Sequence, residues 1–172
     1  KNIKPIIGNK IIEPNQPQRI YDQNLIPFKP VYKLEKIKEL LTAEDNFEEL
    51  EKYLKKLYLT LVEFNQNNKR EELLNILNYF ETIVLSKEIS NNIINTPFVK
   101  LLIDFLDINN DKIRIRSCSI IAFLLRYATS MEKSLDNYNL TDSLISFISD
   151  NNLELNRKAI ATLGEYLFFV ST

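Results

Sequence analysis

A long stretch of sequence recurs in the second half of this chain. Residues 102–130 align without a gap with residues 144–172, at a spacing of 42 positions. Apolar residues fall mostly on apolar residues, and the paired asparagines Asn109-Asn110 fall on Asn151-Asn152. A weaker match places Asn67-Asn68 one period earlier. The recurrence predicts a structural unit of about 42 residues that is repeated along the chain.

Glycine and proline indicate that the unit is helical. The chain has only two glycines, Gly8 and Gly164, and five of its six prolines fall in the first thirty residues. Sheets with tight turns need many more of both residue types. Apolar residues from Phe47 to Phe64 recur at alternating spacings of three and four, which predicts one face of a long helix. Further helices are predicted over 33–41, 71–86 and 88–95, from Thr96-Pro97 onward, and over 113–129, 141–149 and 153–171.

Paired helices at a period of 40–47 residues are typical of armadillo and HEAT repeats. The sequence therefore predicts an all-α, armadillo/HEAT-type helical repeat solenoid over residues 31–172, with clear copies at about 97–130 and 139–172. One helix pair cannot bury its own apolar face, so such pairs stack. We expect Gly164 to let a neighbouring helix approach closely. The last helix is rich in apolar residues, so we expect more repeats to follow in a longer protein.

Residues 1–30 are predicted to form an extended N-terminal arm, because residues before proline avoid the helical region. The arm is too apolar for a free linker. We expect it to lie across the helical body, and partial disorder is the alternative. The side chains expected to dock are apolar: Ile6, Ile7, Ile11, Ile12 and Phe28.

The composition argues against most site chemistries. The chain has no histidine and one cysteine, Cys118, and its two glycines cannot form a phosphate-binding loop. We therefore predict no catalytic, cofactor-binding or metal site, and read Cys118 as a buried thiol in a reducing compartment. A net charge of −1 gives no sign of a nucleic-acid partner. No apolar run is long enough to cross a membrane.

Basic residues recur near the start of the second helix of each clear repeat. Arg114 and Arg116 lie in one copy, and Arg157 and Lys158 lie in the next. Repeated positions of this kind can line a concave groove that binds acidic proteins, so these four are candidate protein-binding residues. Ordinary surface charge is the alternative interpretation.

Several segments also resemble a known family. They are Ile3–Ile12, Leu25-Ile26-Pro27-Phe28, Pro97–Ile103 and the closing Arg157–Thr172, which contains Leu163-Gly164-Glu165. These resemble the region after the kinase domain in the fourth Unc-51-like kinase and its plant counterpart RUNKEL, relatives of the Fused kinase. The resemblance implies a kinase or pseudokinase domain before the arm, where any ATP would bind, and a long repeat array after it. No catalytic residue carries over, because this chain contains no kinase motif.

The resemblance implies a non-catalytic scaffold with protein partners such as a Fused-type kinase, microtubule proteins or ciliary proteins, and with its own upstream kinase-like domain. It also implies a cytoplasmic, cytoskeletal or ciliary location. Two alternatives stay open: a cis-regulatory module that controls an active upstream serine/threonine kinase domain, and a stand-alone cytoskeletal adaptor.

Overall fold

The computed structural model describes residues 37, 39–40, 47–132 and 134–171. Within these ranges the chain is helical and contains no strand, which confirms the all-α prediction. The arm and most of the predicted helix over 33–41 lie outside the described residues, although Ile37, Glu39 and Leu40 are helical. The α-helices are α1 (Phe47–Gln66), α2 (Arg70–Ile83), α3 (Lys87–Ile94), α4 (Pro97–Asp104), α5 (Asp111–Tyr127), α6 (Leu140–Ile148) and α7 (Leu153–Ser171).

Side-chain caps explain where several helices begin. The hydroxyl of Thr96 accepts a hydrogen bond from the backbone N–H of Phe98 at 3.3 Å, which confirms the predicted start at Thr96-Pro97. Asn110 Oδ1 accepts from the N–H of Ile113 at 3.2 Å before α5. One period later, Asn152 Oδ1 accepts from the N–H of Leu155, also at 3.2 Å. The two repeat copies therefore start their second helices with the same cap.

The ends of the helices differ in detail from the sequence prediction. The segment predicted over 71–86 ends earlier, at Ile83, because Ser86 caps the next helix by accepting from the N–H of Ile89. A short 3-10 helix follows α4 at Phe105–Asp107, and a second at Leu135–Tyr138 was not predicted. The second one ends at Asn139, whose φ of 59° is left-handed, a conformation that asparagine tolerates better than most residues.

Helix α5 lies at the centre of the packing. Both α2 and α7 pack against it, and α3 and α4 contact it as well. Helix α1 packs on α2, and α6 packs on α7. The buried side chains of these helices form one apolar cluster that includes Phe80, Phe105 and Ile121. Helices α2, α5 and α7 are thus each the second helix of a packed pair, and α5 contacts both α2 and α7.

A second contact recurs at the same period and closes each helix pair. The Arg114 guanidinium donates from Nε to the carbonyl oxygen of Leu106 at 3.1 Å. The amide of Asn156 donates from Nδ2 to the carbonyl oxygen of Ile148. Donor and acceptor are each displaced by 42 positions between the copies. The side chains differ, but both satisfy a carbonyl at the end of the first helix.

Gly164 does not play the predicted role. A Cβ atom built on it would have no neighbouring atom within 4 Å, and the residue is exposed. The expectation that a neighbouring helix approaches closely at Gly164 is therefore wrong for the described part of the chain. The reason is its position, because it faces away from α5 on the side of α7 that no described helix covers.

Candidate protein-interaction site

The described residues hold no arrangement that suggests metal or membrane chemistry. No group of three or more Cys, Asp and Glu side chains among them could hold a metal ion. In the same ranges, no helix has both the length and the apolar character that a bilayer crossing requires.

The structure separates the four basic residues that were predicted to bind a partner. Arg116 is the clearest case, because its side chain is only 3% exposed. It forms an ion pair with Glu81, which is itself buried. The prediction of Arg116 as a surface binding residue is therefore corrected. The ion pair joins α5, which carries Arg116, to α2, which carries Glu81.

Arg114 is also largely committed to internal contacts. Besides its hydrogen bond to Leu106, its guanidinium lies 3.6 Å from an Asp111 carboxylate oxygen and 5.3 Å from the centre of the Phe147 ring. Arg157 is exposed, and Lys158 is half-buried. The binding role of Arg114, Arg157 and Lys158 stays a prediction. Because Arg116 is buried, the four residues do not form one surface patch together.

Cys118 has the environment of a structural thiol. Its side chain is fully buried, and burial raises the pKa of the thiol to about 12. The nearby positive charge of Lys158 acts in the opposite direction but does not offset burial. Thiolate is the reactive form, so Cys118 is unreactive near neutral pH. This agrees with its reading as a core residue.

One face of α7 is apolar and uncovered by any described residue. Its exposed apolar side chains include Ile160, which is 50% exposed, and Leu167, which is 55% exposed. Gly164 lies between them in sequence, and Phe168 follows. These four positions are spaced by four, three and one, so they share one side of a helix. We call this set, with Leu153, the α7 face.

The repeat identifies what the α7 face corresponds to in the preceding unit. The residues 42 positions before four of its five members are Asp111, Cys118, Leu125 and Arg126, which correspond to Leu153, Ile160, Leu167 and Phe168; the fifth member, Gly164, corresponds to Ala122. Three of the four bond to the next unit: the Asp111 carboxylate accepts from Asn152 at 2.9 Å, the Cys118 carbonyl accepts from Thr162 at 3.0 Å, and Arg126 Nε donates to Glu165 at 2.9 Å. The fourth, Leu125, is 2% exposed.

A second open surface lies at the other end of the helical body. A groove with a volume of about 400 Å³ runs between α1 and the junction of α3 and α4. Leu50, Leu54 and Tyr58 line it from α1, and Ile93, Pro97 and Phe98 line it from the other side. We call it the α1–α4 groove.

The floor of the α1–α4 groove is an aromatic stack. The Phe98 ring lies parallel to the Phe80 ring, with centres 4.8 Å apart. Tyr58 meets Phe98 edge-on, with ring centres 5.4 Å apart. Aromatic pairs in these geometries add about 0.5–1.5 kcal/mol beyond the burial of their area. The groove is thus supported by packed side chains.

The predicted docking residues of the arm, Ile6, Ile7, Ile11, Ile12 and Phe28, lie outside the described residues. The sequence patterns did not identify either the α7 face or the α1–α4 groove as a specific site. The α7 face could have been found from the repeat, because Ile160 and Leu167 are the exposed equivalents of the buried residues Cys118 and Leu125. The groove depends on how helices cross and has no comparable sequence signal.

Comparison with known proteins finds one kinase relative. Over 99 residues, 57% of this chain, the sequence is 32% identical to serine/threonine-protein kinase RUNKEL of Arabidopsis thaliana. The matched region makes up 7% of that relative. The chain therefore spans only a small part of the length of that relative. No protein-family model matches the chain, and no solved structure matches it.

Proposed function

We propose that this segment is a non-catalytic protein-interaction scaffold, built as an armadillo/HEAT-type solenoid within a longer relative of the Fused-type kinases. The single observation that carries the proposal is the recurrence of the helix pair at a spacing of 42 residues, with the same asparagine cap and the same closing contact. Stacked units of this kind form extended surfaces that bind other proteins.

The α7 face supports the solenoid reading. Four residues of α5 correspond to residues of the α7 face. Three of them, Asp111, Cys118 and Arg126, form hydrogen bonds to the helix pair that follows α5, and the fourth, Leu125, is buried. We propose that a further helix pair covers the α7 face as α7 covers α5.

The similarity to a kinase that is much longer than this chain supports placing the segment in a multidomain protein. We propose protein partners, with a Fused-type kinase, microtubule proteins and ciliary proteins as the classes to test, and a cytoplasmic, cytoskeletal or ciliary location. We propose no cofactor for the segment itself. Any ATP would belong to an upstream kinase-like domain.

The test is proximity labelling of the full-length protein, with and without residues 31–172. Removal of the scaffold is expected to eliminate labelling of the tubulin, ciliary or Fused-type partners. A control variant, Lys52→Ala, removes only an exposed ion pair between Lys52 and Glu48 and is expected to leave labelling unchanged. An unchanged partner set after the deletion would overturn the scaffold proposal and favour a regulatory role toward the kinase-like domain.

A further inference from the structure

We propose that the α1–α4 groove is the docking site for the N-terminal arm of this same chain, and that the isoleucine pairs Ile6-Ile7 and Ile11-Ile12 fill it. This inference does not depend on the scaffold role, because it concerns a contact within the chain. It rests on the shape and chemistry of the groove, on the position of the chain that leads into α1, and on the composition of the arm.

The groove has the properties of a site that buries apolar side chains. Its volume of about 400 Å³ falls in the range of roughly 300–1,000 Å³ that is usual for binding clefts. Leu54 and Tyr58 on its α1 wall are only half-buried, although both pack on the core. An apolar occupant would remove the remaining surface of both side chains from water, which is favourable at about 25 cal/mol per Å².

The connection between arm and groove is short enough for docking. Tyr58 is the last α1 residue in the groove wall, and it lies about 17 Å from the start of α1 at the helical rise per residue. Ile37 and Leu40, between the arm and α1, are buried. The chain is therefore anchored on the helical body just after the arm. A short tether gives an effective concentration on the order of millimolar, so even a weak contact would be populated.

The composition of the arm favours this occupant over an unrelated peptide. The first thirty residues carry four apolar pairs: Ile6-Ile7, Ile11-Ile12, Ile20-Tyr21 and Leu25-Ile26. They also carry five basic and two acidic side chains. The first turns of α1, beside the groove, present Glu48, Glu49 and Glu51, and Glu51 lies on the groove rim. Because the rim carries Lys55 as well as Glu51, the match between the arm and the groove lies in their apolar character.

The test uses two engineered cysteines in the full 172-residue chain. Asn9→Cys lies between the isoleucine pairs, and Lys55→Cys lies on the groove rim. Under mild oxidation, we expect an intramolecular disulfide to form at least about tenfold faster than in a control that combines Asn9→Cys with Glu154→Cys on α7. The native Cys118 is buried and does not compete.

A second variant tests whether the isoleucine side chains are what hold the arm in the groove. Replacing all four isoleucines by serine in the Asn9→Cys, Lys55→Cys protein is expected to reduce the rate to that of the control, with unchanged helical circular dichroism. Equal rates in the groove and control pairs would overturn the proposal, as would a rate unaffected by the serine changes. Disulfides that form only between chains would overturn it too, and would assign the groove to a second copy.

Discussion

Replacing Glu81 by alanine is expected to lower the free energy of unfolding by about 3–5 kcal/mol. Glu81 forms an ion pair with Arg116, and both side chains are buried between α2 and α5. Removal of the carboxylate breaks this ion pair in a low-dielectric site, and the loss of the pairing with the buried guanidinium is the source of the cost. Urea denaturation followed by circular dichroism measures the change.

Two matched variants distinguish the cost of breaking a buried ion pair from the cost of breaking an exposed one. Glu48→Ala breaks an ion pair whose side chains are both largely exposed, and it is expected to cost less than about 1 kcal/mol. The double change Glu81→Leu with Arg116→Met leaves no buried charge and is expected to recover most of the lost stability. A cost for Glu81→Ala as small as that for Glu48→Ala would contradict the buried position of the pair.

Leu125→Ala is expected to lower the free energy of unfolding by about 2–5 kcal/mol, because it opens a cavity in the apolar core. Leu167→Ala, the same change 42 positions later, is expected to stay within about 0.5 kcal/mol. The side chains are identical, but Leu125 is 2% exposed and Leu167 is 55% exposed. The same denaturation measurement compares them. If Leu125→Ala and Leu167→Ala lowered the free energy of unfolding equally in this chain, the α7 face would already be covered.

The helices and their repetition were predictable because both follow from local patterns. Spacings of three and four identify an apolar helix face without knowledge of its neighbours. Thr96-Pro97 begins a helix through a cap that involves only adjacent residues. The spacing of 42 residues predicted two helix pairs, and both copies show the same cap and closing contact.

Positions that depend on a neighbouring helix were not predictable in the same way. Arg116 was read as a surface residue because arginine is seldom fully buried without a partner. Its partner, Glu81, belongs to another helix, 35 positions earlier in the sequence, and neither pattern nor spacing connects the two. Gly164 was assigned to a close helix contact, but no described helix lies on that side of α7.

The candidate surfaces were only partly predictable for the same reason. The apolar character of the last helix was visible in the sequence and led to the expectation of further repeats. Which of its side chains are open follows from the packing of α7 on α5, which leaves Ile160 and Leu167 on the far side. The α1–α4 groove arises from the crossing of three helices around Phe98.

The central claim is that the α7 face is the stacking surface for another helix pair, and thiol labelling tests it most directly. Leu167→Cys would be labelled with a maleimide near pH 7, both in the 172-residue chain and in the full-length product of the gene. The native Cys118 contributes little, since burial raises its thiol pKa to about 12. Asn151→Cys, in an exposed turn, is the control.

We expect fast labelling of Leu167→Cys in the 172-residue chain and at least about tenfold slower labelling in the full-length protein, where a further helix pair covers the position. Asn151→Cys is expected to react at similar rates in both proteins. Equally fast labelling of Leu167→Cys in both would contradict the stacking claim, as would a gene product with no helix pair after α7.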